Sequence, residues 1–217
     1  CDEVLAEKAQ LQIVTHQLSK YNQTLVDYEK EGDEPLVLVI DQTFGDMAVK
    51  YGQADAEHFA QMLQAAIAEN PNAKILVKTH PDVLSGKKQG YFSPNENYPS
   101  NVHFFSPVNP ISLIKAVEKV YCVTSQMGFE ALLVGKPVVT FGVPWFSGWG
   151  VTDDRHPNAK ALAQSERRKV RSILQLFYAA YFQYTRYLNP NTGKTGTIFD
   201  VINHIIHTKA LNLRLQG

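Results

Sequence analysis

Cysteine is scarce in this 217-residue chain, which holds only Cys1 and Cys122, far apart in sequence. Two such residues form neither a disulfide framework nor a zinc cluster of Cys and His. Cys122 sits in the apolar run VYCVTS, where a reduced, buried thiol is expected, and the cytosol is the compartment that fits. Long hydrophobic runs are missing as well. No stretch reaches the roughly 18 apolar residues of a membrane span, and no basic segment followed by an apolar block marks a signal, so any membrane contact is expected to be peripheral. Charge of one sign is absent: 21 Lys and Arg face 21 Asp and Glu, which removes the whole-domain electrostatic argument for nucleic acid. The local basic patch Arg167, Arg168, Lys169 and Arg171 reads as a solvated helix face. There is no GxGxxG, no P-loop and no serine-centred elbow, so nicotinamide cofactors, structural metals and serine hydrolase chemistry are disfavoured, and no cofactor is expected. Starting at Cys1 rather than methionine, the chain reads as part of a longer or processed protein.

What is present is ordinary globular material, 44% hydrophobic and 19% charged, enough for one domain with helical extensions. Apolar positions at Val4, Leu5, Leu11, Val14 and Leu18 predict a helix within residues 2–20, and the acidic segment 27–35 reads as a linker. Short apolar strands then alternate with amphipathic helices. Strands are expected at 36–40, 75–80, 102–105, 120–124 and 137–142, with helices at about 55–69, 110–119 and 126–134. That order predicts an α/β fold, a Rossmann-like doubly wound parallel sheet. An aromatic, glycine-rich loop (WFSGWGVTDDRHP) follows, then helical stretches at about 158–188 and 197–208 with many tyrosines. The expected division is a helix and linker over 1–35, a nucleotide-binding core over 36–157 and a C-terminal helical extension over 158–217.

Ligands of doubly wound sheets bind beyond the carboxyl ends of the strands, so the residues that follow each strand are the candidates. After the first strand come Asp41, Gln42 and, past Gly45, Asp46; a carboxylate here can act as nucleophile or base near an oxocarbenium-like centre, or simply cap the loop. After the second come Lys78 and His80, a cation and an imidazole able to neutralise or protonate a leaving phosphate. Thr124, Ser125, Gln126 and Gly128 join a strand end to a helix start, where free N–H groups receive a phosphate, although Thr124 and Ser125 are also plain capping residues. Glu130, one turn on, can accept from ribose hydroxyls or serve as a first-turn carboxylate. Lys87 and Lys88 lie in a flexible basic loop, GKKQGY, suited to an acidic group.

The strings VLVIDQTFGDMAVKYGQA, NPNAKILVKTHPDVLSGKKQGY, VTSQMGFEALLVGKPVVTFGVPWFSGWGVTDD and RYLNPNTG, with SKYN near residue 20, resemble the bacterial capsular-polysaccharide β-Kdo transferases over roughly residues 19–200. The resemblance implies one half of a two-Rossmann, GT-B-type enzyme that transfers Kdo from CMP-β-Kdo with retention to a lipid-linked oligo-Kdo acceptor at the inner-membrane periphery. It implies that Asp46 is the nucleophile and that His80 contacts the phosphate. Ser125, Gln126 and Gly128 would then contact phosphate and Glu130 ribose, while Gln42, Lys87, Lys88, Trp145, Ser147, Gly148 and Trp149 would line the sugar or acceptor side. WFSGWG departs from the family's YAGWG-like loop at Phe146 and Ser147. The strand count supplies only one half, so the acceptor-binding half, or capsule assembly proteins, would be partners, and the isolated chain is expected to bind CMP or CMP-Kdo but to transfer poorly. Two alternatives stay open: a CDP-polyol phosphotransferase of the same fold, and a non-catalytic nucleotide-binding half of a larger complex.

Overall fold

The computed structural model describes residues 2–20, 22, 26–105, 107–165 and 167–216; Tyr21 of the SKYN string and Cys1 lie outside the described residues. Helix α1 (Glu3–Thr15) leads to strand β1 (Leu36–Ile40), short helix α2 (Met47–Tyr51), α3 (Ala56–Glu69), β2 (Lys74–Lys78), the turn-length α4 (Pro81–Leu84) and β3 (Val102–Phe104). Then follow α5 (Pro110–Ala116), β4 (Lys119–Cys122), α6 (Gln126–Val134), β5 (Val138–Thr140) and β6 (Asp153–Asp154). The six strands form one sheet in the order β3-β2-β1-β4-β5-β6, every pairing parallel. This is a doubly wound Rossmann-like sheet, as its apolar strands predict.

The strand LVLVI shows why it forms where it does. All five residues are buried, and the pleat sends Leu36, Leu38 and Ile40 into one core while Val37 and Val39 enter the other. The second core is closed by α3 through Phe59, Met62, Leu63 and Ala66, spaced one helical face apart. The first is closed by α5, α6 and the terminal helices. Helix α6 ends on Gly135, whose φ of 89° places it in the left-handed region that a C-terminal cap requires.

The helical stretches expected over about 158–188 are separate pieces, divided by irregular chain. They are α7 (Pro157–Gln164) and, after a non-helical stretch, α8 (Ile173–Tyr178) and a π-helical segment Ala179–Tyr184. Ser172 and Gln175 form a capping box that starts a new helix, which the hydrophobic spacing alone does not reveal. The basic patch Arg167–Arg171 therefore lies between helices rather than on a helix face. An antiparallel pair of two-residue strands, β7 (Tyr187–Leu188) and β8 (Thr195–Gly196), precedes α9 (Ile198–Gln216), which runs past the expected end at 208. Helix α1 packs on α6, α8 and α9, so the two ends of the chain share the first core. Cys122 is a free, buried thiol. Among the described residues no helix is long and apolar enough to cross a membrane.

Candidate functional site

The strand order reverses between β1 and β4, and ligands of such sheets bind at that reversal. One side chain spans it. The Gln42 amide nitrogen donates to Thr124 Oγ1 at 3.0 Å and to Asp46 Oδ2 at 3.1 Å, and its oxygen accepts from the Thr124 amide at 3.0 Å. Gln42 is 7% exposed, so these bonds are made out of bulk water, where they are worth most. Asp46 caps α2 by accepting from the Ala48 amide at 2.9 Å, which leaves its carboxylate fixed at both oxygens. The structure thus joins Asp46 and the residue before Ser125 through Gln42.

Three buried or half-buried titratable groups, Asp41, Lys78 and Glu130, are electrostatically coupled next to these segments. Asp41, 6% exposed, accepts from the Gln42 and Tyr91 amides through Oδ1, while Oδ2 meets the hydrogen-bond criteria with no partner among the described residues. Burial pushes its carboxyl up to about 6, against the opposing amide bonds. Glu130 is 7% exposed and accepts from the Lys20 amide at 3.1 Å; burial raises it to about 7. Burial lowers the Lys78 pKa below the ordinary amine value, and the carboxyls of Glu130 and Asp41 act against that shift. Gly90 passes so close to Asp41 that an added Cβ would stand 2.4 Å from Oδ2. The basic loop is accordingly pinned to the β1 loop, with the Phe44 amide donating to the Gln89 carbonyl at 2.7 Å and a bridge between Thr43 and Gly90.

His80 sits at the end of β2, half-buried. Its Nδ1 accepts from the Asp82 amide at 3.1 Å, so the neutral ring carries its proton on Nε2. Burial holds its pKa below the ordinary value, countered by Asp82. Lys88 pairs with Asp82 at 3.1 Å beside it.

Ser125 caps α6 by accepting from the Met127 amide at 3.3 Å. Gly128 is buried where the helix meets the sheet: a Cβ there would stand 2.6 Å from Cys122 Sγ and 2.8 Å from Phe146 Cζ, and its amide donates to the Ser125 carbonyl. Gln126 spends both ends of its amide on protein, donating to Tyr181 Oη at 2.8 Å and accepting from Trp145 Nε1 at 3.1 Å. In the aromatic loop the predicted set divides. Trp145 and Trp149 face a cleft, whereas Ser147 and Gly148 are buried, Ser147 donating to the Pro144 carbonyl and Gly148 to Asp154 Oδ2.

That cleft, 1480 Å³, is lined by α6, the end of α1, the aromatic loop and the C-terminal helices. Gln126, Glu130 and Leu133 present one face of α6 to it, at the i, i+4, i+7 spacing of a helix. Asp46, His80 and Ser125 do not line it. Two residues hold the loop in roles the sequence does not disclose, Arg168 having read only as part of a solvated basic patch. Asp154 receives Thr140, Thr152 and the Gly148 amide; Arg168 lies over Trp149 and donates to the Ser147 carbonyl at 2.5 Å. Both act between segments distant or irregular in sequence, and no local pattern announces them.

Comparison with known proteins gives a consistent picture. A family described as capsule polysaccharide biosynthesis protein matches residues 5–187. The capsule polysaccharide modification protein LipA of Neisseria meningitidis serogroup B is 55% identical over 226 residues, covering 99% of this chain and 32% of that protein. The chain therefore spans about a third of the length of this relative. The solved structure of Thermosulfurimonas dismutans KpsC, beta Kdo 2,4 transferase, superposes with a TM-score of 0.85 at 43% identity, over 94% of this chain and 62% of that one. The beta Kdo 2,7 transferase of the same KpsC shares the fold, with a TM-score of 0.66 at 24% identity, over 99% of this chain and 64% of that one.

Proposed function

This chain belongs to the capsule polysaccharide biosynthesis family, and from that premise we propose that it is the donor-binding half of a retaining Kdo transferase that uses CMP-β-Kdo. The observation that carries the reading is the Gln42 clamp at the reversal of strand order, which holds a carboxylate beside the start of α6. The 43% identity to a Kdo transferase supports the choice of sugar.

In this reading the donor phosphate sits at the N-terminal end of α6, near Ser125, with ribose on Glu130. Asp46 attacks the anomeric carbon, the bond from that carbon to the phosphate oxygen breaks, and CMP departs with the electron pair. His80 donates a hydrogen bond from Nε2 to the departing phosphate, in the tautomer that its Nδ1 contact with Asp82 sets. Lys78, the last residue of β2, is the nearby cation in this scheme. An acceptor hydroxyl then attacks the same carbon, giving up its proton to water, while the bond to Asp46 breaks with its electron pair returning to the carboxylate; two inversions yield retention. The acceptor is a lipid-linked Kdo chain, presented by a second half that completes the enzyme at the inner face of the membrane. Gln126 and Gly128 act in this scheme mainly by holding α6 against Tyr181, Trp145 and the sheet.

Thermal unfolding with CMP-Kdo and with CDP-glycerol tests the donor. CMP-Kdo at 100 times its Kd is expected to stabilise the chain by about 2.7 kcal/mol, and CDP-glycerol to leave it unchanged. Protection by CDP-glycerol alone would transfer the site to polyol-phosphate chemistry.

A further inference from the structure

The cleft beyond α6 carries more chemistry than a donor nucleotide uses. At 1480 Å³ it exceeds the roughly 300–1,000 Å³ of an ordinary small-molecule pocket. Its lining includes both tryptophans of the chain, Trp145 and Trp149, with Tyr178 and Tyr184 from the helical segments opposite. Arg167 and Arg171 also face it. They are exposed, and among the described residues neither forms an ion pair, although the chain as a whole has no excess of positive charge.

Aromatic faces beside exposed guanidinium groups suit a ligand with flat, apolar ring faces and planar anionic substituents. Ring C–H groups pack on Trp and Tyr, and a guanidinium meets a carboxylate with two parallel hydrogen bonds. Nucleic acid fits poorly, since two arginines neutralise too few phosphates to hold a polyanion at physiological salt. A lipid surface is flat, and this site is concave.

We propose that the cleft binds a carboxylated oligosaccharide, with carboxylates on Arg167 and Arg171 and sugar faces on Trp149 and Tyr184. The identity of the sugar rests on the transferase reading: it is the Kdo chain behind the acceptor terminus. The basic segment that sequence reading assigns to a solvated face then has a task, and Arg168, stacked on Trp149, sets the orientation of one wall.

The two tryptophans make the cleft its own reporter. Intrinsic fluorescence is titrated with a β-linked Kdo trisaccharide and with the same trisaccharide after reduction of its carboxyl groups, while CMP is titrated separately by calorimetry. The acidic trisaccharide is expected to give a saturable change. The carboxyl-reduced form, and the acidic form on the Arg167→Gln/Arg171→Gln double variant, are each expected to bind about tenfold more weakly or worse. Equal affinity for acidic and reduced sugars, or no effect of the double variant, overturns the proposal. No trisaccharide response with intact CMP binding overturns the cleft and leaves the donor site standing; a trisaccharide response without CMP binding supports the cleft and overturns the donor reading. CMP binding that is itself weakened by the double variant, with the trisaccharide unaffected, gives the cleft to the nucleotide and also overturns the proposal.

Discussion

The strand-end site and the cleft beyond α6 share that helix but are held by different forces. At the strand ends, Asp46, Thr124, Asp41 and the basic loop are fixed by directed bonds, most of them through Gln42 and Asp41. In the cleft wall, Phe129 packs on Trp145, Phe177 and Tyr181 with ring centroids 4.4 to 6.4 Å apart, and polar bonds such as Gln126 to Tyr181 only pin the edges. Directed bonds fix a reacting group in one position, whereas ring packing tolerates small shifts. The first region therefore holds Asp46 in one position, and the second has the looser packing that the proposed extended ligand requires.

Three substitutions test this contrast. Gln42→Ala is expected to have the largest effect, because it orphans the buried Thr124 amide and frees Asp46: a loss of roughly 3 kcal/mol in urea unfolding, and about 100-fold in transfer rate if turnover is assayed with the completing half present. A loss below about 1 kcal/mol would mean that the clamp is not what holds the edge. Glu130→Gln acts through pH. Glu130 is raised from the ordinary 4.5 to about 7 in the fold, so its stabilising contribution is present below pH 4.5 and lost as pH rises through about 7. The variant lacks that loss. It should be more stable than the parent by about 3 kcal/mol at pH 8 and little different at pH 4, a pattern that parallel melting curves resolve. Tyr181→Phe, which breaks the bond to Gln126 and keeps the ring, should cost only about 1 kcal/mol; a larger loss than that of Gln42→Ala would invert the comparison.

The same contrast governs what the sequence discloses. Strand β1 is legible to the residue, because LVLVI is apolar on both faces and bounded by polar loops, and α6 is equally clear from its capping serine to Val134. The rule that ligands gather at strand ends points to Asp46, His80 and Ser125 without any coordinates. The clamp is not legible, since Gln42 and Thr124 lie 82 residues apart in sequence. Neither is the cleft. Hydrophobic spacing runs smoothly through 158–188, and the break depends on Ser172 with Gln175 and on Arg168 reaching back to Ser147. Helix α2 and strand β6 are too short for their periodicity to register, and Ser147 and Gly148, adjacent to Trp149 in sequence, point inward because Asp154 and the Pro144 carbonyl claim them.

The central claim is that Asp46 is the group that takes the sugar. Adduct formation needs only the donor, so this chain incubated with CMP-Kdo and read by intact-protein mass spectrometry and peptide mapping addresses it without the acceptor half. The account predicts one Kdo residue added, carried by Asp46 and absent from Asp46→Ala, while CMP still binds the variant. An adduct on another side chain, or its persistence in Asp46→Ala, would contradict it.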